Sequence, residues 1–462
     1  MKGDFTRDTF DLTKHFSRVL QQQGRVQVDA DANEQTAILL HYIRTLAADL
    51  IGPFAGPAGP DYGFEISIIP KDDKSFNIGK GRYYVDGILC ENETVASYAK
   101  QKNFPFPEEL LPNKDYLVYL DVWERHVTTL EDDDIREKAL GGPDTATRAQ
   151  VVWQVKVWYE NGGLKAPSEL NPNDIINAWS QWVHLWQPNT IGCLKAGIKP
   201  LDLPNDACHI APDAKYRGLE NQLYRVEIHS PGKDKSATFK WSRDNGSVAT
   251  RIVEGSFAET SCLVESSRGF EPGNWLEFTN DGQELRGEPG TLVQLNTLEN
   301  DVLSLKSEPK QQGTPNTNEK WPTKVRRWDH VATKTTHLAK DNAVPITEGT
   351  ADKDWIALED GLQIQFQPGA TRYRTGDYWL IPARVATGDI EWPFQLDETT
   401  GLPPNGIRHH YAPLAILKLP ANGVGNLNPI HSEFHPGISL TGLSSHGEEG
   451  IGGHLLCTPP AS

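Results

Sequence analysis

Four Asx-Gly dipeptides constrain the fold of this chain more than any other feature. Each lies between apolar runs of strand character, and they are Asp86-Gly87, Asn245-Gly246, Asp281-Gly282 and Asp360-Gly361. An Asx-Gly pair readily adopts the positive φ angles that a two-residue β-hairpin turn requires. Four such turns in separate parts of the chain predict a mainly β fold.

Long strand-forming runs support this prediction. YLVYLDVW at 116–123 and VVWQVKVWY at 151–159 are rich in β-branched and aromatic residues, as expected of central strands in a sandwich. Residues 255–310 contain about five shorter strand patterns, the size of a small barrel inserted in a larger domain. We therefore predict a multi-domain body of β-sandwich and small-barrel modules, preceded by an extended N-terminal arm and an amphipathic helix.

The predicted domain boundaries follow these changes of pattern. A chain of 462 residues is long enough for several domains with cores of their own. In order they are an arm and helix at 1–60, a β domain at 61–254, an inserted barrel-like module at 255–310, strands that complete the body at 311–420, and an extended or flexible tail at 421–462.

The long helical pattern of the chain lies near its N-terminus. Its apolar residues recur at intervals of three and four, which marks one face of an amphipathic helix, and they include Leu39, Tyr42, Ile43, Leu46 and Leu50. Asp31 and Glu34 fit a capping box at its start, and Gly52 with Pro53 predicts its end. Residues 56–60, rich in Gly and Pro, suit a linker.

Two alternatives remain for this apolar stripe. Either it packs on the chain's own β body, or it meets the same helix in other subunits. Because the stripe spans fewer than two heptads, its spacing does not require a coiled coil.

The segment before the helix has the character of an extended arm. Phe5, Phe10 and Phe16 stand among charged residues, too sparsely for a helical stripe. Such rings suit separate pockets, or they lie on the protein's own body. We predict that these three rings and the five stripe residues form an assembly site.

Composition excludes several classes of function. The formal charge of −17 repels phosphate backbones and anionic membranes, so we expect no nucleic-acid partner. No window approaches the roughly 18 apolar residues of a membrane span, and the N-terminus has no apolar signal region. The five cysteines form neither a disulfide framework nor a zinc pattern. We expect synthesis and assembly in the cytoplasm.

The chain offers few candidates for catalysis or metal binding. His409, His410, His431 and His435 are the one set of histidines worth weighing as metal ligands, although they follow no known ligand spacing. The acidic run at 131–134 indicates a solvated face, with a divalent-cation site as the alternative. We expect no cofactor beyond such a cation.

Carboxylate pairs are a weaker signal, because acids are abundant. Asp121, Glu124 and Asp244 lie near strand ends, where a glycosidase-like pair could form. No nucleophile elbow, phosphate-binding loop or dinucleotide fingerprint is present. We therefore expect a protein that is not an enzyme.

Many long motifs resemble a bacterial family of uncharacterised function whose members are encoded in loci for phage-tail-like contractile injection systems. The resemblance runs from residue 2 to about residue 418, and it supplies no catalytic residues. Its motifs include KGDFTRDTF, QQGRVQVDADANEQ, GRYYVDGILCEN, YLDVWERHV, LGGPDTATR, QVVWQVKVW, ENQLYRVEIH, FKWSRDNGSV, RRWDH, GDYWLIPAR and HHYAPLAIL.

This resemblance implies a function that the residues alone do not. We expect a structural or accessory component of the injection particle, associated with its baseplate, fibre or cap, whose partners are other particle proteins. The alternative is a cargo effector, either a hydrolase or a glycan-binding protein. Such particles are assembled in the cytoplasm, and the protein would reach the outside with a released particle. A homo-oligomer is compatible with this role, and a trimer would suit a fibre.

Overall fold

The computed structural model describes most of the chain. The described residues are 1–60, 62–69, 74–104, 107–159, 179–184, 186, 192–199, 215–312, 319–332, 337–370, 372–395, 398–399, 401–419, 425–430 and 433–434. His431, His435 and most of the predicted tail at 421–462 lie outside them.

The fold is mainly β, as the turn and strand patterns predict. The helices are α1 (Asp29–Ile51), α2 (179–184) and α3 (Asp281–Leu285). The strands in chain order are β1 (Phe54–Pro57), β2 (Ile66–Ile68), β3 (Phe76–Ile78), β4 (Gly81–Val85), β5 (Ile88–Asn92), β6 (Ala96–Ser97), β7 (Lys114–Val127), β8 (Arg148–Trp158), β9 (Cys193–Ile198), β10 (Gln222–Ile228), β11 (Thr238–Ser242), β12 (Ala249–Arg251), β13 (Ser261–Leu263), β14 (Trp275–Thr279), β15 (Thr291–Glu299), β16 (Val302–Leu305), β17 (Lys324–Trp328), β18 (Val344–Pro345), β19 (Ile356–Ala357), β20 (Leu362–Gln367), β21 (Tyr378–Arg384), β22 (Asp389–Ile390), β23 (Phe394–Gln395), β24 (Glu398–Thr399), β25 (His410–Leu419), β26 (Asn426–Pro429) and β27 (Glu433–Phe434).

The longest strands, β7 and β8, build the first module, as expected of the two strongest strand patterns. They pair antiparallel from Leu117 opposite Trp158 to Val127 opposite Arg148, within a sheet of order β26-β25-β7-β8. One face of this sheet packs against the sheets β27-β1-β4-β5 and β2-β3-β6. The shared core includes Val118, Leu120 and Tyr83, all without exposed surface.

A second module has its own core between two smaller sheets. Their strand orders are β18-β11-β10-β21-β22 and β19-β20-β9. Phe366 contacts Phe239 and Trp379 there at ring-centroid distances of 5.1 and 5.8 Å, and Tyr224 contacts Trp241 at 6.2 Å.

The third module is the barrel-like insert. Its six strands have the order β12-β17-β14-β15-β16-β13 around a core that includes Leu276, Phe278 and Val325. The chain enters this sheet at β12 and leaves it at β17, so the sheet extends on both sides of the predicted range 255–310.

Two of the four Asx-Gly turns close hairpins as predicted. Asp86-Gly87 joins β4 to β5 and Asp360-Gly361 joins β19 to β20, and all four residues have positive φ. Asn245-Gly246 also has positive φ, but the hairpin predicted there is wrong, because β11 and β12 on its two sides belong to different sheets.

The prediction of a hairpin turn at Asp281-Gly282 is wrong, because these residues begin α3. The Asn280 side chain accepts a hydrogen bond from Gln283 N at 2.9 Å. This N-cap interaction stabilises a helical first turn instead of a hairpin.

The start of α1 and the segment after it also differ from the prediction. The helix begins at Asp29, and its N-cap residue Val28 makes no side-chain cap bond, so the capping box of Asp31 and Glu34 is wrong. The end is as predicted, since Gly52 has a φ of 93° and donates to Ala48 O. The expected linker at 56–60 is wrong in part, because the buried strand β1 reaches Pro57.

Candidate assembly surface

One side of α1 faces the body, with two buried apolar residues and an ion pair on that side. Ala30 and Ile38 are the buried residues of the helix. The Arg44 guanidinium donates to both oxygens of Glu124 on β7, at 2.8 and 3.1 Å. Gly87 lies directly against the helix, where an added Cβ would overlap the carbonyl oxygen of Arg44. The turn glycine of the β4–β5 hairpin is thus needed twice, for its φ and for this close approach.

The N-terminal arm uses the acids at the start of α1. Asp29 accepts from the backbone N–H and the hydroxyl of Thr6, and Glu34 accepts from Thr9 Oγ1 at 2.6 Å. Glu34, which the sequence places in a capping box with Asp31, therefore bonds to the arm instead.

The first residues of the arm enter the junction between the second module and the insert. Lys2 Nζ lies 3.0 Å from Glu227 Oε1. Asn245 Nδ2 donates to Met1 O at 3.2 Å and Gly3 O at 2.9 Å. The arm therefore links α1 to the β body over a long distance.

A buried cluster of charges, the junction cluster, surrounds this entry point. It consists of Arg225, Glu227, Lys240 and Glu277, all nearly inaccessible. Glu277 bonds Lys240 and accepts from Trp328 Nε1 at 2.8 Å, while Arg225 Nε donates to Glu227 at 2.5 Å. Every charge in the cluster is paired, which makes its burial tolerable.

The electrostatics of the junction cluster follow from this pairing. Burial by itself raises the pKa of a carboxyl, but the charges of Lys2, Arg225 and Lys240 hold the pKa of Glu227 well below its usual range. Against the same opposing burial, Lys240 and Lys2 lower the pKa of Glu277 to about 2. Both carboxylates are therefore ionised at neutral pH.

The opposite side of α1 exposes the apolar stripe. The exposed fractions are 51% for Leu39, 52% for Tyr42, 61% for Ile43, 60% for Leu46 and 77% for Leu50. The alternative that the stripe packs on the protein's own body is therefore wrong for these five residues, whereas Ile38 of the same apolar pattern is buried. An exposed contiguous apolar row on an anchored helix indicates an interaction surface.

A groove runs beside the stripe between α1 and the first module. Its volume is about 450 Å³, and its lining includes Leu40, Ile43, Leu89, Val151 and Trp153. The stripe and this groove are adjacent, because Ile43 belongs to both, although Arg44, Glu91 and Glu93 also line the groove.

The three arm rings have different environments. Phe5 contacts the His126 ring edge-on at a centroid distance of 6.1 Å, and Phe10 contacts His41 at the same distance. Phe16 is 53% exposed. Phe5 and Phe10 therefore lie on the protein's own body, and Phe16 is left with the stripe as a candidate contact residue.

The histidine candidates for a metal site have separate partners. His409 Nδ1 lies 2.7 Å from Asp121 Oδ1, and His410 Nδ1 lies 2.7 Å from Asp86 Oδ2. Successive side chains of an extended strand point to opposite faces, so these two rings do not converge. His431 and His435 lie outside the described residues.

Within the described residues, Glu131, Asp281 and Glu284 are the one group of three possible ligands close enough to share a cation. The Lys324 ammonium already stands among them, at 2.7, 2.8 and 2.6 Å respectively. Burial opposes ionisation of Glu131, but Lys324 and bonds from Thr128 lower its pKa to about 2. Sequence spacing could not reveal this ion cluster, because β17 brings Lys324 from almost 200 residues away.

The three candidate catalytic carboxylates also have cationic partners. Asp121 lies 2.7 Å from Lys156, Glu124 binds Arg44, and Asp244 lies 2.5 Å from Arg327. Asp121 and Glu124 lie three positions apart on β7 and point to opposite faces. The structure therefore does not pair them as a glycosidase mechanism requires.

Together these features define a multi-sheet β protein with an anchored N-terminal helix whose apolar face is exposed. No helix in the described part of the chain is long and apolar enough to cross a membrane. The chain belongs to a family of unknown function, DUF6519, whose model matches residues 1–177 and 176–424. No curated protein and no solved structure matches it.

Proposed function

We propose that this protein is a structural, non-enzymatic component of a phage-tail-like contractile injection particle and that it joins the particle through α1. The observation that carries this proposal is the exposed stripe, with Leu50 77% and Ile43 61% accessible. The motifs that resemble proteins of injection-system loci support the choice of particle.

The energetics of the stripe favour a bound state. Burying an exposed Leu or Ile side chain contributes about 1.5–3 kcal/mol before entropic costs. Four such side chains and Tyr42 on one helix can therefore drive association, whereas an isolated exposed leucine needs no explanation.

The anchoring of α1 suits a load-carrying joint. Arg44 holds the helix to β7 through Glu124, and Thr6 and Thr9 of the arm hold its first turn. Lys2 then fixes the arm in the junction cluster. A partner bound to α1 is thereby connected to the second module and the insert as well as to the first module.

The proposal is tested with particles purified from cells that carry the whole locus. We expect the wild-type protein to be present in them, and the double variant Leu46→Asp, Leu50→Asp to be absent while remaining folded in the cytoplasm. Thr45→Asp is the matched control, because Thr45 is exposed on α1 away from the stripe.

Two outcomes would contradict the proposal. Normal incorporation of the double variant would show that α1 is not the joint. Location of the wild-type protein in the particle lumen, seen by surface labelling, would make it cargo instead of a structural part.

A further inference from the structure

We infer that the stripe of α1 binds the same stripe of a second copy of this chain, and that the two helices pair antiparallel about a two-fold axis. This inference rests on the proposed function, because it names the immediate partner of the same surface.

The spacing of the stripe favours a helix as the partner. Leu39, Ile43, Leu46 and Leu50 follow intervals of four, three and four, which is the seam of two packed helices. With 23 residues, α1 is the longest helix that the structure describes. A second α1 is therefore the partner with matching spacing that the chain itself supplies.

The stripe is self-complementary in an antiparallel register. The two-fold axis crosses the seam at the level along the helix between residues 44 and 45. In this register Leu39 lies opposite Leu50 of the second copy, and Ile43 lies opposite Leu46. Beside this seam Tyr42 comes close to Asp49 of the second copy, so its hydroxyl can donate to that carboxylate. A two-fold axis makes every contact occur twice.

Charge favours the antiparallel over the parallel arrangement. The four seam residues carry no charge, and Arg44 is already held by Glu124. A parallel pair would align the two helix dipoles, whereas the antiparallel pair opposes them.

The accessible area suits a reversible dimer. The five stripe residues and Leu40 have 39–77% of their surface exposed. That corresponds to on the order of 600 Å² per copy, against about 800 Å² per partner in a standard interface. The pair is therefore expected to dissociate on dilution.

Sedimentation of the purified full chain over a range of concentrations tests the pairing. We expect a monomer–dimer equilibrium, with Leu46→Glu weakening dimerisation about 100-fold or more because each substitution counts twice. Thr45→Glu is the control and should leave the dimer unchanged. A wild-type monomer at every concentration, or an undiminished Leu46→Glu dimer, would overturn the inference.

Disulfide trapping tests the register. The double variant Leu39→Cys, Leu50→Cys should cross-link two copies under oxidation, and each single variant should not exceed the wild-type chain with its native thiols. Efficient cross-linking of Leu39→Cys alone would show a parallel pair and overturn the antiparallel register.

The two proposals fail separately. If the stripe variants are monomeric yet still enter particles, the proposed function fails and the pairing stands. If the wild-type chain is monomeric but stripe variants are excluded from particles, the pairing fails and the proposed joint stands.

Discussion

Helix α1 and the junction cluster distribute apolar and charged groups in opposite ways. On α1 five large apolar side chains are exposed, while Ala30 and Ile38 are buried and Arg44 binds Glu124 of the body. At the junction, Lys240 and Glu277 are buried and paired inside the protein. The difference separates two roles, because a fully paired buried cluster completes the fold, whereas an unpaired apolar row leaves an interaction unfilled.

The junction cluster should give the largest effect on stability. Lys240→Ala leaves Glu277 and Glu227 short of a buried partner, so we expect a loss of about 3–5 kcal/mol in the free energy of unfolding measured with urea. Lys320→Ala, which removes an exposed ion pair with Glu254, is the control and should change nothing measurable. Equal effects of the two variants would contradict the structural role of the cluster.

Lowering the pH should reduce the free energy of unfolding, first by protonating three buried histidines in the unfolded chain and only at lower pH by protonating carboxylates. Burial lowers the pKa of His126 and His330 to about 3 and that of His229 to about 4. Because these folded-state values lie below the unfolded value of about 6.5, the unfolded chain binds more protons. Their stabilisation is complete above pH 6.5 and is lost as the pH falls toward 4.

The expected slope is up to about 1.4 kcal/mol per pH unit for each histidine. It is measured as the urea unfolding free energy between pH 7 and 4. His126→Gln should reduce that slope by about one third of the histidine contribution. A flat profile down to pH 4.5 would contradict the neutral, buried state of these rings. Below pH 4.5, Glu131 and Glu277 add a further loss, because their folded pKa is about 2.

A smaller effect on stability should follow from disturbing the contact between α1 and the β4–β5 turn. Gly87→Ala places a Cβ against the Arg44 carbonyl and also strains a φ of 76°, so we expect a loss of about 1–3 kcal/mol and faster hydrogen exchange in α1. Gly255→Ala is the control, because it has a similar φ of 74° but no atom near the added Cβ. If both variants affect α1 equally, the close approach has no role.

The smallest effect should come from the Arg44–Glu124 pair, each side chain of which is 28% exposed. Arg44→Ala should cost about 1 kcal/mol or less, seen as a modest rise in α1 hydrogen exchange with no change in the second module. Destabilisation of the whole protein would show that α1 belongs to the core, and the contrast with the junction cluster would disappear.

Local sequence patterns predicted individual helices, strands and turns correctly where nearby residues determine them, and failed where other contacts intervene. The hairpin at Asp86-Gly87, the strands β7 and β8, and the end of α1 at Gly52 are set by residues close in sequence. The predicted start of α1 was wrong because the helix begins before Asp31, at Asp29, and Glu34 accepts from Thr9 of the arm instead of completing the capping box. The turn at Asp281-Gly282 was wrong because Asn280 caps a helix there.

The sequence by itself determined that the chain is mainly β, that one long amphipathic helix precedes the body, and that its stripe holds five large apolar residues. These are consequences of periodicity and turn chemistry, which act over a few residues. Only the tertiary structure decided which way the stripe faces and that the Lys324 ammonium lies among Glu131, Asp281 and Glu284. Both depend on contacts between distant segments, such as Arg44 with Glu124 and Lys324 with Glu131, and no local pattern encodes such a pairing.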